Sequence, residues 1–166
     1  TTRGPTVTHP ASPWDAAVRR AITLAATART RGNHPFGAVL VDADGVVVLE
    51  AENTVADAGD VTGHAETNLV RLATTTIPHD RLATHTLVTS CEPCAMCAGA
   101  IYWAGIGRVV YGLPEHELYE MTGAHPDNPT LRLPCREVFA AGTRAIDVVG
   151  PVLREESAAV HRDFWA

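Results

Sequence analysis

"HAE" at residues 64–66 and "PCAMC" at residues 93–97 decide how this chain is read. Cys94 and Cys97 are three apart, so on a helix they lie about 60° apart on one face. Pro93 suits a first helical turn. Free N–H groups and the positive end of the helix dipole favour thiolates there. His64 and Glu66 are two apart, about 200° around a helix, and cannot share a side face. They converge only if their helix aims its N-terminal end at the site. One shared site therefore requires two helices pointed end-on at one metal. Two thiolates with an imidazole favour zinc over magnesium or calcium. Three protein ligands, His64, Cys94 and Cys97, leave a fourth position for water, as in catalytic rather than structural zinc sites. Glu66 is then free to carry protons between that water and a substrate.

Each half alone is a weak signal. A lone His-Ala-Glu is an ordinary helix start, and a lone Cys-x-x-Cys serves redox or structural roles as well. Cys91 extends the pattern to Cys-x-x-Cys-x-x-Cys. An iron–sulfur run needs a further Cys four residues after Cys97, where Ile101 stands, so a cluster is rejected. Cys91 as a fourth ligand of a closed structural zinc stays open. Cys135 follows a proline and reads as a small buried residue.

Working outward, Ser12-Pro13-Trp14-Asp15 reads as a helix start with Ser12 as N-cap, the helix running to Thr30. "FGAVLV" (36–41) and "VVVLEA" (46–51) flank "DADG", a hairpin whose apolar runs predict strands covered on both faces. A loop is expected over 53–63, a helix over 64–75, a strand over 85–90, a helix over 94–104 and a strand over 107–112. Residues 113–134 read as a long loop with a short helix near 115–120. A strand over 145–150 and a helix over 152–166 close the chain. Strands alternating with helices predict an α/β fold with helices on both sheet faces. Residues 1–12 are expected to be a tail and 13–166 a single domain.

The chain has 166 residues, 46% apolar and 19% charged, which suits one globular core. No run approaches 18 apolar residues, so no membrane span is expected. Residues 1–17 lack an apolar h-region and read as no signal peptide. Four cysteines without such a segment point to a reducing, cytoplasmic setting and to metal or thiol chemistry. Thirteen basic residues are outnumbered by nineteen acidic ones, net −6, which argues against nucleic acid as a partner.

Taken together and in order, the two motifs match the H-x-E…P-C-x-x-C signature of zinc nucleobase deaminases. Over roughly 14–166 the chain resembles the cytidine deaminase-like superfamily, and within it the bacterial guanine deaminases. "PFGAVLV", Asn53, "HAE" and "TSCEPCAMCAGAIYWA" carry the resemblance. It implies a three-layer α-β-α sandwich with a mixed five-stranded sheet. It implies His64, Cys94 and Cys97 as ligands of one Zn2+ per subunit, water or hydroxide in the fourth position, Glu66 as proton shuttle and Asn53 as a hydrogen-bond partner of a purine. The family's pocket carboxylate aligns at Glu117, where the family has Asp. The loop 121–135 departs from the family pattern. "HRDFWA" resembles the family's closing segment without its terminal Tyr.

Phe36 and Trp103 are candidates to stack on a planar base. Phe164 and Trp165 are expected to close over the active site of their own chain or of a dimer partner, the alternative being that they cap the hydrophobic core at the end of the last helix. No partner is evident for His116 or His125. The expected activity is hydrolytic deamination of guanine to xanthine and ammonia, by a homodimer. The alternatives are another aminated ring (cytosine, a triazine, a pterin or a nucleoside), a tRNA adenosine, or a zinc-stabilised binding module without turnover.

Overall fold

The computed structural model describes residues 10–166. Most of the expected tail, residues 1–9, lies outside the described residues. The chain runs α1 (Asp15–Thr30), β1 (Gly37–Val41), β2 (Val47–Glu52), α2 (Val55–Ala58), α3 (Ala65–Thr76), a 3-10 turn (His79–Thr84), β3 (Thr86–Cys91), α4 (Ala95–Ala104), β4 (Arg108–Leu113), α5 (Glu115–Thr122), α6 (Cys135–Ala140), β5 (Asp147–Val149) and α7 (Arg154–Ala159).

The five strands form one mixed sheet in the order β2-β1-β3-β4-β5. β1 pairs antiparallel with β2 and β3, while β3–β4 and β4–β5 are parallel. Each parallel pair needs a crossover. α4 makes the one between β3 and β4, and α5 with α6 lie in the other.

Side chains of β1 alternate between two cores. Leu40 packs with Leu69, Ile101 and Phe139 beneath α3, α4 and α6. Val39 and Val41 pack with Val18, Val88, Val110 and Val152 on the α1 side. The result is the expected three-layer α/β sandwich. Gly37 has a packing reason to be glycine. A Cβ there would fall 2.3 Å from the carbonyl oxygen of Ala21, so α1 could not lie on the sheet.

Local chemistry explains the element starts. Ser12 Oγ accepts the Trp14 N–H at 3.2 Å, and the Asp15 carboxylate accepts the Ser12 N–H at 3.2 Å. These bonds form a turn at Ser12, but Ser12 is not the N-cap expected from the sequence: α1 begins at Asp15 with Trp14 in the N-cap position and no side-chain cap.

Four further expectations need correction. β1 is covered on both faces, but β2 is an edge strand with alternate residues exposed. The segment 53–63 contains the short helix α2, started by Asn53 Oδ1 accepting the Val55 N–H at 3.1 Å. The last helix stops at Ala159 rather than running to 166, and Asp163 holds a positive φ of 59° in the turns that follow. The stretch after the long loop carries α6, begun behind Pro134.

Candidate active site

Both motif helices point their N-terminal ends at one place. His64 is the N-cap of α3 and Cys94 the N-cap of α4, each in extended conformation just outside the helix. His64 Nδ1 lies 3.6 Å from Cys94 Sγ and 3.5 Å from Cys97 Sγ. The ligand atoms of His64, Cys94 and Cys97 all fall within 4.8 Å of one another. Hydrogen bonds from Cys97 and His64 push the Cys94 thiol down to about 4. The same Cys94–Cys97 contact, with burial, pushes the Cys97 thiol up. The donors fit a borderline-soft cation: two sulfurs and one imidazole nitrogen, on helix ends that favour negative charge.

Cys91 stands apart from that trio. It ends β3, buried, and burial holds its thiol well above the usual range. The closed four-ligand site is therefore not formed, and Cys91 lines the adjoining cavity instead.

Glu66 is buried in the first turn of α3. Thr89 Oγ1 lies 2.9 Å from Glu66 Oε1, and Cys97 donates its S–H toward Oε2 over 3.6 Å. Burial raises the Glu66 carboxyl above its usual range, opposed by the neighbouring His64. A cavity opens in front of His64, Glu66 and Cys94, with Phe36 and His34 on one wall and Glu115, Tyr119 and Asn128 on the others.

The other sequence-derived candidates fare unevenly. Phe36 lines the cavity as expected. Asn53 is buried but is not among the lining residues; its backbone N–H is bonded to the Phe36 carbonyl and its carboxamide oxygen holds α2. Trp103 is 80% exposed on α4, edge-on to Tyr102, and belongs to neither cavity nor core. Its place in the helix turns it away from the ends where the ligands sit. Glu117 also misses the cavity, because its turn of α5 faces α7, where Arg154 pairs with it at 3.3 Å. The cavity carboxylate is Glu115, two residues earlier.

Burial pushes Glu115 up to about 7, against the Tyr119 hydroxyl that bonds its Oε1 at 2.8 Å. Sequence carried no signal that singled out Glu115 from Glu117: Pro114 marks the start of α5, but the facing of its first turn is set by packing. Glu92, also missed, accepts the Glu115 N–H at 3.2 Å and the Cys135 N–H at 3.1 Å. One buried carboxylate thus fastens α5 and α6 to the loop before Cys94.

Phe164 and Trp165 do not line the cavity. They back the residues that do. The Trp165 ring lies 5.3 Å from His34 and 6.2 Å from Phe36, and the Phe164 ring 6.0 Å from His34. His125, without a partner in the sequence reading, packs edge-on against Trp165 at 5.4 Å. The segment closes on its own chain and braces one wall of the cavity.

This fold and this donor set define a metal-dependent deaminase class, and the comparisons agree. A model of the cytidine and deoxycytidylate deaminase zinc-binding region matches residues 12–113. The chain belongs to that family of zinc-binding deaminases, hydrolases acting on C–N bonds. It is 43% identical over 148 residues to the probable cytosine deaminase of Schizosaccharomyces pombe, covering 89% of this chain and 90% of that one. It is 44% identical over 95 residues to the guanine deaminase of Bacillus subtilis, covering 57% and 60%. The solved structure of NE0047 in complex with 2,6-diaminopurine superposes with a TM-score of 0.77 at 26% identity, covering 93% of this chain and 82% of that one. No helix among the described residues is long and apolar enough to cross a membrane.

Proposed function

We propose that the chain deaminates a free nucleobase hydrolytically, with guanine converted to xanthine and ammonia. One observation carries this reading. Glu66, which no ligand role requires, lines the same cavity as His64 and Cys94, and a second carboxylate, Glu115, stands in that cavity too.

His64, Cys94 and Cys97 would hold the zinc. When bound, zinc supplies a Lewis acid that lowers the pKa of water from about 15.7 to near 7. Glu66 takes a proton from the attacking water and gives it to the ring nitrogen beside the amine-bearing carbon. It then takes the second proton and gives it to the leaving amine. The water oxygen becomes the new carbonyl, the ring nitrogen keeps one hydrogen, and the amine departs as ammonia. Thr89 holds Oε1, which leaves Oε2, on the Cys97 side, to carry the proton. Phe36 offers its ring to a planar base. Asn53 has its oxygen engaged by Val55, and its amide nitrogen is the group left to donate to a base. Glu115 accepts a ring N–H when ionised, and a base without that N–H leaves a buried carboxylate unpaired.

Cytosine is the second reading, favoured by the 43% identity to a probable cytosine deaminase across nearly the whole of both chains. Ammonia release from guanine, cytosine, a triazine, a pterin and nucleosides at matched concentration separates the two. Release from none of them would leave the binding-module alternative. Exposed Trp103, Met96 and Leu72 on α4 and α3 support a homodimer through that face. A monomer by light scattering at micromolar concentration contradicts it.

A further inference from the structure

Asn128 carries a buried side-chain donor with nothing to receive it. Its Nδ2 is enclosed and has no hydrogen-bond partner. Asn128 lines the cavity in front of Glu66 and Cys94. Leaving such a group unpaired costs about 1–3 kcal/mol, so in a native fold it asks for an explanation.

The loop that presents it is braced at both ends. Leu131 donates its N–H to Tyr119 Oη at 3.2 Å, and the same hydroxyl reaches Glu115 Oε1 at 2.8 Å. On the other side, the Asp127 N–H bonds His125 Nδ1 at 3.2 Å, the Asn128 N–H bonds the His125 carbonyl at 3.1 Å, and His125 rests on Trp165. Asn128 is therefore offered by a held loop.

The cavity around it is rich in acceptors. Glu66, Glu92, Glu115 and Asp127 all line it. Carboxylates on several sides favour a donor over an acceptor at Asn128, so its amide nitrogen is the atom suited to face them. Among the fully enclosed side-chain atoms of the described residues that line this space, Asn128 Nδ2 is the donor without a partner.

We propose that Asn128 is a specificity-determining residue that donates its side-chain N–H to a ring carbonyl of the substrate. Rings bearing both an oxo and an amino group are accepted, and their diamino counterparts, which present a donor to a donor, are disfavoured. The inference rests on the free-nucleobase reading above. It does not depend on which oxo-amino base is the natural one.

The test compares each oxo-amino ring with its diamino counterpart, in which an amine replaces the exocyclic oxygen and a ring N–H is lost with it: guanine with 2,6-diaminopurine, and cytosine with 2,4-diaminopyrimidine. Zinc-loaded wild-type protein should prefer the oxo member of whichever pair it turns over by at least about tenfold in kcat/KM, a difference binding alone can supply. Asn128→Ala should reduce that preference by about fivefold or more, the part that remains belonging to the ring N–H and Glu115, and Asn128→Asp should reduce it at least as far. Zinc content and melting temperature should stay put in both, because the side-chain nitrogen makes no bond within the fold. Turnover with an oxo preference left unchanged by both substitutions, or no preference in the wild type, overturns the role of Asn128 and leaves the deaminase reading standing. Ammonia from none of the four rings overturns the nucleobase reading, and this inference with it.

Discussion

Thr89 Oγ1 sits 2.9 Å from Glu66 Oε1, both side chains buried between β3 and the first turn of α3. The same hydroxyl lies 2.9 Å from the Cys91 carbonyl. It therefore anchors one carboxylate oxygen to the sheet while the other faces Cys97. Thr89→Val keeps the shape and removes the anchor. Hydrogen bonds to charged groups contribute about 1.5–3 kcal/mol. If that orientation serves the proton transfer, kcat should fall by about tenfold or more with zinc retained. Steady-state kinetics beside metal analysis will decide; an unchanged kcat removes Thr89 from the account.

Glu115 and Glu117 make a matched control. Both are carboxylates on α5, but Glu115 lines the cavity and Glu117 pairs at the surface with Arg154. Exposed ion pairs contribute about 0–1 kcal/mol. Glu117→Gln should leave kcat/KM within about twofold. Glu115→Gln should lower it by about tenfold or more on the preferred base. Equal effects would mean that the cavity is drawn on the wrong face of α5.

Glu92 should matter for stability. Its carboxylate receives the N–H groups of Glu115 and Cys135, both buried. Glu92→Ala leaves two buried donors unpaired, each costing about 1–3 kcal/mol. Urea unfolding should show a loss of about 2–5 kcal/mol. A loss under 1 kcal/mol would show that α5 and α6 do not depend on this carboxylate.

His161 predicts how stability depends on pH. Burial, then the charge of Arg29, pushes its pKa down to about 4 from 6.5. Nδ1 accepts the Trp165 indole N–H at 3.2 Å and the rings stack at 14°, while Nε2 is buried without a partner, so nothing there compensates a charge on the ring. A depressed folded pKa means that its contribution is intact above pH 6.5 and is lost as pH falls toward 4. The shift corresponds to roughly 3 kcal/mol. His161→Gln keeps an acceptor for Trp165 but cannot be protonated. Denaturant unfolding at pH 7 and pH 4.5 should show a smaller acid loss for this variant than for the wild type. Equal losses contradict a buried neutral His161.

The metal trio was legible in the sequence because its constraint is geometric. A pair two apart and a pair three apart meet only at helix ends, and His64 and Cys94 are N-caps. The three layers were legible from the alternation of apolar runs and helical stretches. The cavity walls were not. Glu115 and Glu117 are both acidic residues early in one helix, and only the packing of α5 against its neighbours separates them. Trp103 reads as a stacking or core aromatic, yet helix phase puts it outside. Trp165 looked like a lid, but the helix expected to carry it ends at Ala159, and the turns after it bring the indole behind His34 and Phe36. Asn128 lies in a Pro- and Gly-rich loop without periodicity, where sequence pattern carries no information about direction.

The central claim is that Glu66 moves protons and does not hold the metal. Glu66→Ala, purified with zinc in the buffer and measured for bound zinc and for ammonia release, tests it most directly. The account predicts one zinc per chain, as in the wild type, and turnover lower by at least about 10²–10⁴-fold. Loss of the zinc together with the activity would make Glu66 a ligand, and retention of both would remove it from the chemistry; either result contradicts the account.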